Sequence, residues 1–228
     1  MPTNKSALTE SLDLDLQVWP RPRSMVTYLQ AQAHLTGIGN TSSFGYPKVF
    51  TPQTVGGEIA FQALLLDGTL DLERPGVAVY PDEASTPLLR AQTCAIPPEL
   101  NVVLGRRTAA WVLTGKFPPR VIDVLYPQTS FIRTLPSPAQ FARSNVTPSE
   151  TVHYGTTRVT SPVRTVVDLA AWCTVSEATR HIFSFSEPQR LMAEACAYLT
   201  DHAGFRNKIP ALELLSRLLN RSNSKVVE

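Results

Sequence analysis

The chain has 228 residues, 43% hydrophobic and 18% charged, with a formal net charge of +2. That balance excludes a disordered chain and suits one large domain or two small ones, with enough apolar residues for a core. No run of 18 apolar residues occurs and the start around Lys5 lacks a signal-peptide apolar block, so no membrane association is expected.

The charge is unevenly divided. Residues 1–100 hold six basic and ten acidic residues; residues 101–228 hold fifteen and nine. The second half is therefore the better candidate for meeting an acidic partner. Cys94, Cys173 and Cys196 are odd in number and lie far apart, with no CxxC. A disulfide framework or zinc site is not expected, and a reducing, cytoplasmic location fits. Nineteen prolines against 11 glycines predict short elements with stiff connections.

In chain order, residues 1–24 read as a mobile tail closed by Pro20 and Pro22. Ser24 to Leu35 has a capping hydroxyl and apolar residues at helical spacing, and Gly37 and Gly39 end it. A loop over 37–56 leads to a second helix, Gly57 to Leu66. Two short strands, around Leu70–Leu72 and Val77–Tyr80, flank the turn Pro75-Gly76.

Thr86 to Cys94 and Arg106 to Thr114 are predicted helices, with a buried strand at Asn101–Leu104 between them. Strands follow at Val121–Tyr126 and Ser130–Thr134. A hairpin pairs Thr151–Tyr154 with Thr157–Thr160 around Gly155. Ser161-Pro162 opens a helix with a capping hydroxyl and a first-turn proline, and its apolar face runs to about Cys173. Glu187–His202 and Pro210–Asn220 complete the helices. The last carries Leu212, Leu215, Leu218 and Leu219 on one side, a face for its own domain or for a partner, including a second copy of the chain. The fold class expected is α/β (α+β): a small domain over 25–82, then an α/β domain over 83–228 ending in helices.

Motifs for catalysis are missing. Neither GxGxxG nor GxxxxGK[ST] occurs, the four histidines form no HxxxH or HExxH pair, and no GxSxG elbow is present. After residue 173 there is no D…ExK-type cluster of the kind a nuclease uses. No enzyme, cofactor or metal is therefore expected. Two polar clusters remain. Gly105-Arg106-Arg107 opens a helix whose free N–H groups and guanidinium groups suit an anion, or the arginines pair locally with carboxylates. Arg164 and Asp168 stand four apart on one helical face. They can form a salt pair, or Arg164 can turn inward and fix a neighbouring loop.

Three stretches in order resemble the AbiEi-type antitoxin and transcriptional regulator family of type IV toxin–antitoxin systems. Leu66-Asp67-Gly68-Thr69-Leu70 through Pro75-Gly76-Val77-Ala78-Val79-Tyr80 resembles its wing. Arg106-Arg107-Thr108-Ala109-Ala110-Trp111-Val112-Leu113-Thr114-Gly115 resembles the following helix. Thr160-Ser161-Pro162-Val163-Arg164-Thr165-Val166-Val167-Asp168-Leu169-Ala170 resembles the segment T-S-P-x-R-T-x-x-D-L-A and is the most specific of the three. The resemblance implies a winged helix-turn-helix that binds promoter DNA, an α/β antitoxin domain, a nucleotidyltransferase-like toxin as partner, and autorepression.

The chain departs from that pattern in the winged part. Residues 25–81 carry two basic residues, Lys48 and Arg74, against the acids Glu58, Asp67, Asp71 and Glu73; the helix Gly57–Leu66 has no basic residue. Affinity for DNA comes largely from neutralised phosphates, so the winged helix reads as degenerate. Candidate DNA contacts are Arg106, Arg107, Arg74 and Lys48. The alternative is a protein-interaction module whose DNA binding has decayed.

Overall fold

The structure, a computed structural model, describes residues 49–127, 135 and 138–224. The predicted tail over 1–24, the helix over 24–35, the strand over 130–134 and Lys48 lie outside the described residues. The fold is α/β, with seven α-helices and seven strands among the described residues.

The first unit is small. A 3-10 turn at Pro52–Val55 precedes α1 (Glu58–Leu66), then the antiparallel pair β1 (Asp71–Arg74) and β2 (Val77–Val79). Asp67 closes α1, its carboxylate accepting from Thr69 N–H at 2.9 Å. Gly76 at φ 78° makes the β1–β2 turn, a conformation glycine adopts without a Cβ penalty. Phe50 bridges Ala78, and Phe50, Val55, Phe61, Leu64, Leu70 and Ala78 form a core of their own.

The second unit is built on a mixed sheet ordered β5-β4-β3-β7-β6. Its strands are β3 (Val103–Leu104), β4 (Ile122–Tyr126), β5 (Ala139–Arg143), β6 (Thr151–Tyr154) and β7 (Thr157–Thr160). β3 runs parallel to β7 and antiparallel to β4; β5 runs parallel to β4. In the central strands β3 and β4, Val103, Leu104, Ile122, Val124 and Leu125 are buried whichever face they point to, and Asp123 is the one charged residue buried among them. The edge strand β5 has no such pattern: Gln140, Phe141 and Arg143 are exposed, and backbone pairing with β4 fixes it instead. For that reason no strand is expected there from the residues alone.

Six helices accompany this sheet: α2 (Pro87–Thr93), α3 (Arg106–Thr114), α4 (Pro162–Trp172), α5 (Val175–Ile182), α6 (Pro188–Asp201) and α7 (Lys208–Ser224). Two of them, α2 and α4, start by the same device. Thr86 accepts from Leu89 N–H and Ser161 from Arg164 N–H, each with proline opening the helix. Thr174 and Glu177 form a reciprocal capping box on α5, a helix that the sequence pattern did not predict.

α3 is the central element. Ala109, Trp111 and Val112 pack on the sheet with Leu104, Ile122 and Val159, while Ala110 joins the helical core of α4–α7. Gly105 lets β3 turn into α3 close beneath β4: a Cβ there would stand 2.6 Å from Leu125 Cδ1.

Two buried arginines close helix ends. Arg90 donates to the Val112 carbonyl of α3 at 2.9 Å and to the Ser85 carbonyl at 2.6 Å. Arg74, from β1, donates to the Thr93 carbonyl of α2 at 2.8 and 3.3 Å. Each guanidinium satisfies a carbonyl that the helix terminus leaves without an intrahelical donor. Arg74 thereby ties the first unit to the second.

Candidate functional site

Two of the three segments that carry the family resemblance, α3 and α4, pack against each other. Their polar residues separate into a buried knot and an exposed face.

The knot surrounds Arg164, which is buried. Its Nε donates to Asp168 Oδ1 at 3.1 Å, its Nη1 to Glu150 Oε1 at 2.7 Å and its Nη2 to Ser144 Oγ at 2.9 Å. Tyr198 of α6 donates to the same Glu150 oxygen. The guanidinium also lies 5.4 Å from the Phe205 ring centre. Both sequence-based expectations for Arg164 are thus realised together: it pairs with Asp168 one turn on, and it pins the segment from Ser144 to Glu150. One guanidinium serves two carboxylates, and the balance of burial against hydrogen bonds and charge decides how each responds. Asp168, 1% exposed, is pushed up to about 6 because loss of water outweighs the attraction of Arg164. Burial also acts upward on Glu150, but hydrogen bonds from Tyr198 and the Thr147 backbone, with the charge of Arg164, hold it below the usual range. Tyr198 is pushed up to about 12 by burial and by its bond to Glu150.

The four residues expected to contact DNA have different fates. Arg74 is 2% exposed and bonded to Thr93, so it does not reach a phosphate in this conformation. Arg107 forks onto Asp123 of β4, with Nε to Oδ2 at 3.0 Å and Nη2 to Oδ1 at 3.1 Å, and reaches Glu177 at 3.4 Å. It takes the local pairing with carboxylates that was the alternative to anion binding. Lys48 lies outside the described residues. Arg106 differs: no salt bridge is formed by it among the described residues, and its buried Nε has no hydrogen-bond partner there.

Arg106 sits at φ 49° at the first position of α3, with its guanidinium 5.3 Å from the ring centre of Trp172. Trp172 ends α4 and is 37% exposed. Arg206, in the α6–α7 connection, lies 5.6 Å from the same ring centre. Asp168 Oδ2 is likewise buried without a partner among the described residues, and the charge of Arg106 acts on Asp168. The face therefore offers an indole and two guanidiniums, a combination that can hold phosphate oxygens or carboxylates and stack a flat group. Trp172 and Arg206 carry no motif; the packing of α3 on α4 brings Trp172 to Arg106, and the α6–α7 connection brings Arg206 to Trp172. Glu150, Ser144 and Tyr198 were equally unreadable, except that Thr147-Pro148-Ser149-Glu150 spells a capping box.

Among the described residues, no group of three or more His, Cys, Asp or Glu is arranged to hold a metal ion, and no helix is long and apolar enough to cross a membrane. No family model matches the chain, and no curated protein matches it. Three solved chains match it. One is described as the crystal structure of RV2827C protein from Mycobacterium tuberculosis; it is 18% identical, with 75% of this chain and 76% of that chain covered and a TM-score of 0.29. At that score the likeness leaves fold and function to be argued from the chain's own residues.

Proposed function

We propose that this protein is an AbiEi-like antitoxin and transcriptional autoregulator of the cytoplasm. It binds promoter DNA through the Arg106–Trp172–Arg206 face and counteracts a nucleotidyltransferase-like toxin. One observation carries the reading: Arg106, which opens one segment that resembles the family, lies on Trp172, two residues past the end of another, and Arg206 lies near the same exposed indole. Phosphate contacts supply most of the affinity of such proteins for DNA. Arg106 and Arg206 have no carboxylate partner among the described residues, whereas Arg107 and Arg74 are engaged internally. The buried knot supports a scaffold role for the third segment, with Arg164 fixing the face from beneath.

The test is a mobility-shift titration on the DNA upstream of the protein's own gene at several salt concentrations. Arg106→Ala/Arg206→Ala is expected to weaken binding at least tenfold. The slope of log affinity against log salt should shrink by about 0.9 for each phosphate no longer neutralised. Unchanged binding in the double variant would remove this face from the DNA interface. Co-expression with a neighbouring nucleotidyltransferase-like gene checks the antitoxin half; growth arrest that this protein does not relieve argues against it.

A second reading, a protein-interaction module that has lost DNA binding, is favoured by the first unit. Over residues 49–82 its one cation, Arg74, is buried, while Glu58, Asp67 and Asp71 are exposed beside Ile59 and Leu66, which are 89% and 87% exposed. An acidic surface with large apolar side chains suits a protein better than a phosphate backbone. Absence of any salt-sensitive DNA binding by the unaltered chain would favour this reading.

A further inference from the structure

On the sheet side of α5 lies an open cleft of about 480 Å³, lined by Arg107, the loop Phe117–Val121, Gln140 of β5, and Glu177, Arg180 and His181 of α5. Its size falls within the roughly 300–1,000 Å³ typical of small-ligand sites. The walls divide by chemistry. Phe117, Pro118, Pro119 and Val121 form an apolar shelf, with Phe117 and Val121 markedly exposed. The same cleft is lined by three guanidiniums, those of Arg107, Arg120 and Arg180. Arg107 is neutralised by Asp123 and Glu177, which leaves Arg120 and Arg180 without a carboxylate partner among the described residues.

Contacts position Phe117 and Arg180 against each other. Arg180 lies 4.8 Å from the Phe117 ring centre, and His181 meets the same ring edge-on at 5.5 Å. Phe117 stands at φ 61°, a conformation that costs energy in a residue with a Cβ. His181 is buried, and its Nδ1 has no partner among the described residues. Burial and the neighbouring charges of Arg180 and Arg107 lower its pKa to about 4, so it offers a neutral imidazole to the cleft at physiological pH. A buried polar atom without a hydrogen-bond partner is uncommon in a folded protein, and this one belongs to a residue that lines the cleft.

We propose that this cleft binds a small phosphomonoester bearing a planar ring, a nucleoside monophosphate being the type, with Arg120 and Arg180 on the phosphate and the Phe117–Pro119 shelf against the ring. The site is separate from the Arg106–Trp172–Arg206 face, and it stands or falls independently of DNA binding. Two guanidiniums without carboxylate partners among the described residues favour a doubly charged phosphate over a single carboxylate, and the apolar shelf favours an organic phosphate over the inorganic ion.

The experiment is isothermal titration of the full chain with AMP, GMP, CMP and UMP, alongside adenosine and inorganic phosphate. At least one nucleotide is expected to bind in the micromolar range, with adenosine and inorganic phosphate each at least tenfold weaker. Arg120→Ala/Arg180→Ala is expected to reduce nucleotide affinity at least tenfold at an unchanged melting temperature. Amide shift mapping on the unaltered protein is expected to move signals from residues 117–121 and 177–181. Binding of none of the four nucleotides overturns the proposal. So does inorganic phosphate binding as tightly as the nucleotides, full affinity in the double variant, or shifts confined to other segments.

Discussion

Asp168 and His181 are buried groups whose ionisation pulls stability in opposite directions. The folded pKa of Asp168 is raised from 3.8 to about 6, so its contribution is fully present below 3.8 and is lost as pH rises through 6. The folded pKa of His181 is lowered from 6.5 to about 4, so its contribution is present above 6.5 and is lost as pH falls towards 4. Glu150 is lowered from 4.5, so its contribution is present above 4.5 and is lost only as pH falls below that value. Between pH 6.5 and 4.5 the two buried groups therefore offset each other. Asp168→Asn should leave the His181 slope exposed, with stability falling more steeply on acidification than in the unaltered protein. His181→Gln should reverse or flatten that slope. Urea unfolding at pH 6.5, 5.5 and 4.5 measures all three; identical slopes would show that neither group ionises differently on folding.

At the scale of elements, the fold joins its pieces through helix ends. Arg74 reaches from β1 to the last carbonyl of α2, and Arg90 reaches from α2 to a carbonyl near the end of α3. A chain of C-terminal caps thus runs from the first unit to the centre of the second. Arg74→Ala strips the donors from a buried carbonyl and is expected to cost about 1–3 kcal/mol. Arg74→Lys should recover only part of this, because one ammonium cannot reproduce the planar fork. Thermal unfolding of both variants checks the magnitude. Unchanged stability in Arg74→Ala would mean that the cap contributes nothing to holding the units together. The same logic separates arginines that look alike in sequence: Arg107 is consumed by Asp123 of β4, while its neighbour Arg106 faces Trp172.

Over the whole molecule, α7 belongs to the core. Ala211, Leu214, Leu215 and Leu218 are buried with Leu191, Ala195 and Leu199 of α6 and Val166 and Leu169 of α4, while Leu212 and Leu219 lie at the margin. The buried face is thus turned slightly from the one that leucine spacing predicts, with Leu214 replacing Leu212 at its centre. Burying a leucine contributes roughly 1.5–3 kcal/mol, and three such residues rival the roughly 5–15 kcal/mol that holds a typical domain folded. Truncation after Ala203 is therefore expected to give an unfolded or insoluble chain, checked by circular dichroism and sedimentation; a soluble, folded monomer would assign the helix to a partner instead. Elements with local causes are legible in the residues alone: the capped helices at Thr86 and Ser161, the Pro75-Gly76 turn and the Gly155 hairpin. The α/β class follows from their order. Packing settles what depends on partners distant in the chain: β5, which exists through pairing with β4; the use of Arg74 and Arg107 as internal ties; the knot that brings Ser144, Glu150 and Tyr198 to Arg164; and the placing of Arg106 and Arg206 by Trp172. The physical reason is that caps and turns are satisfied within a few residues, whereas a guanidinium is satisfied by whichever carbonyl or carboxylate the packing of helices on the sheet brings to it.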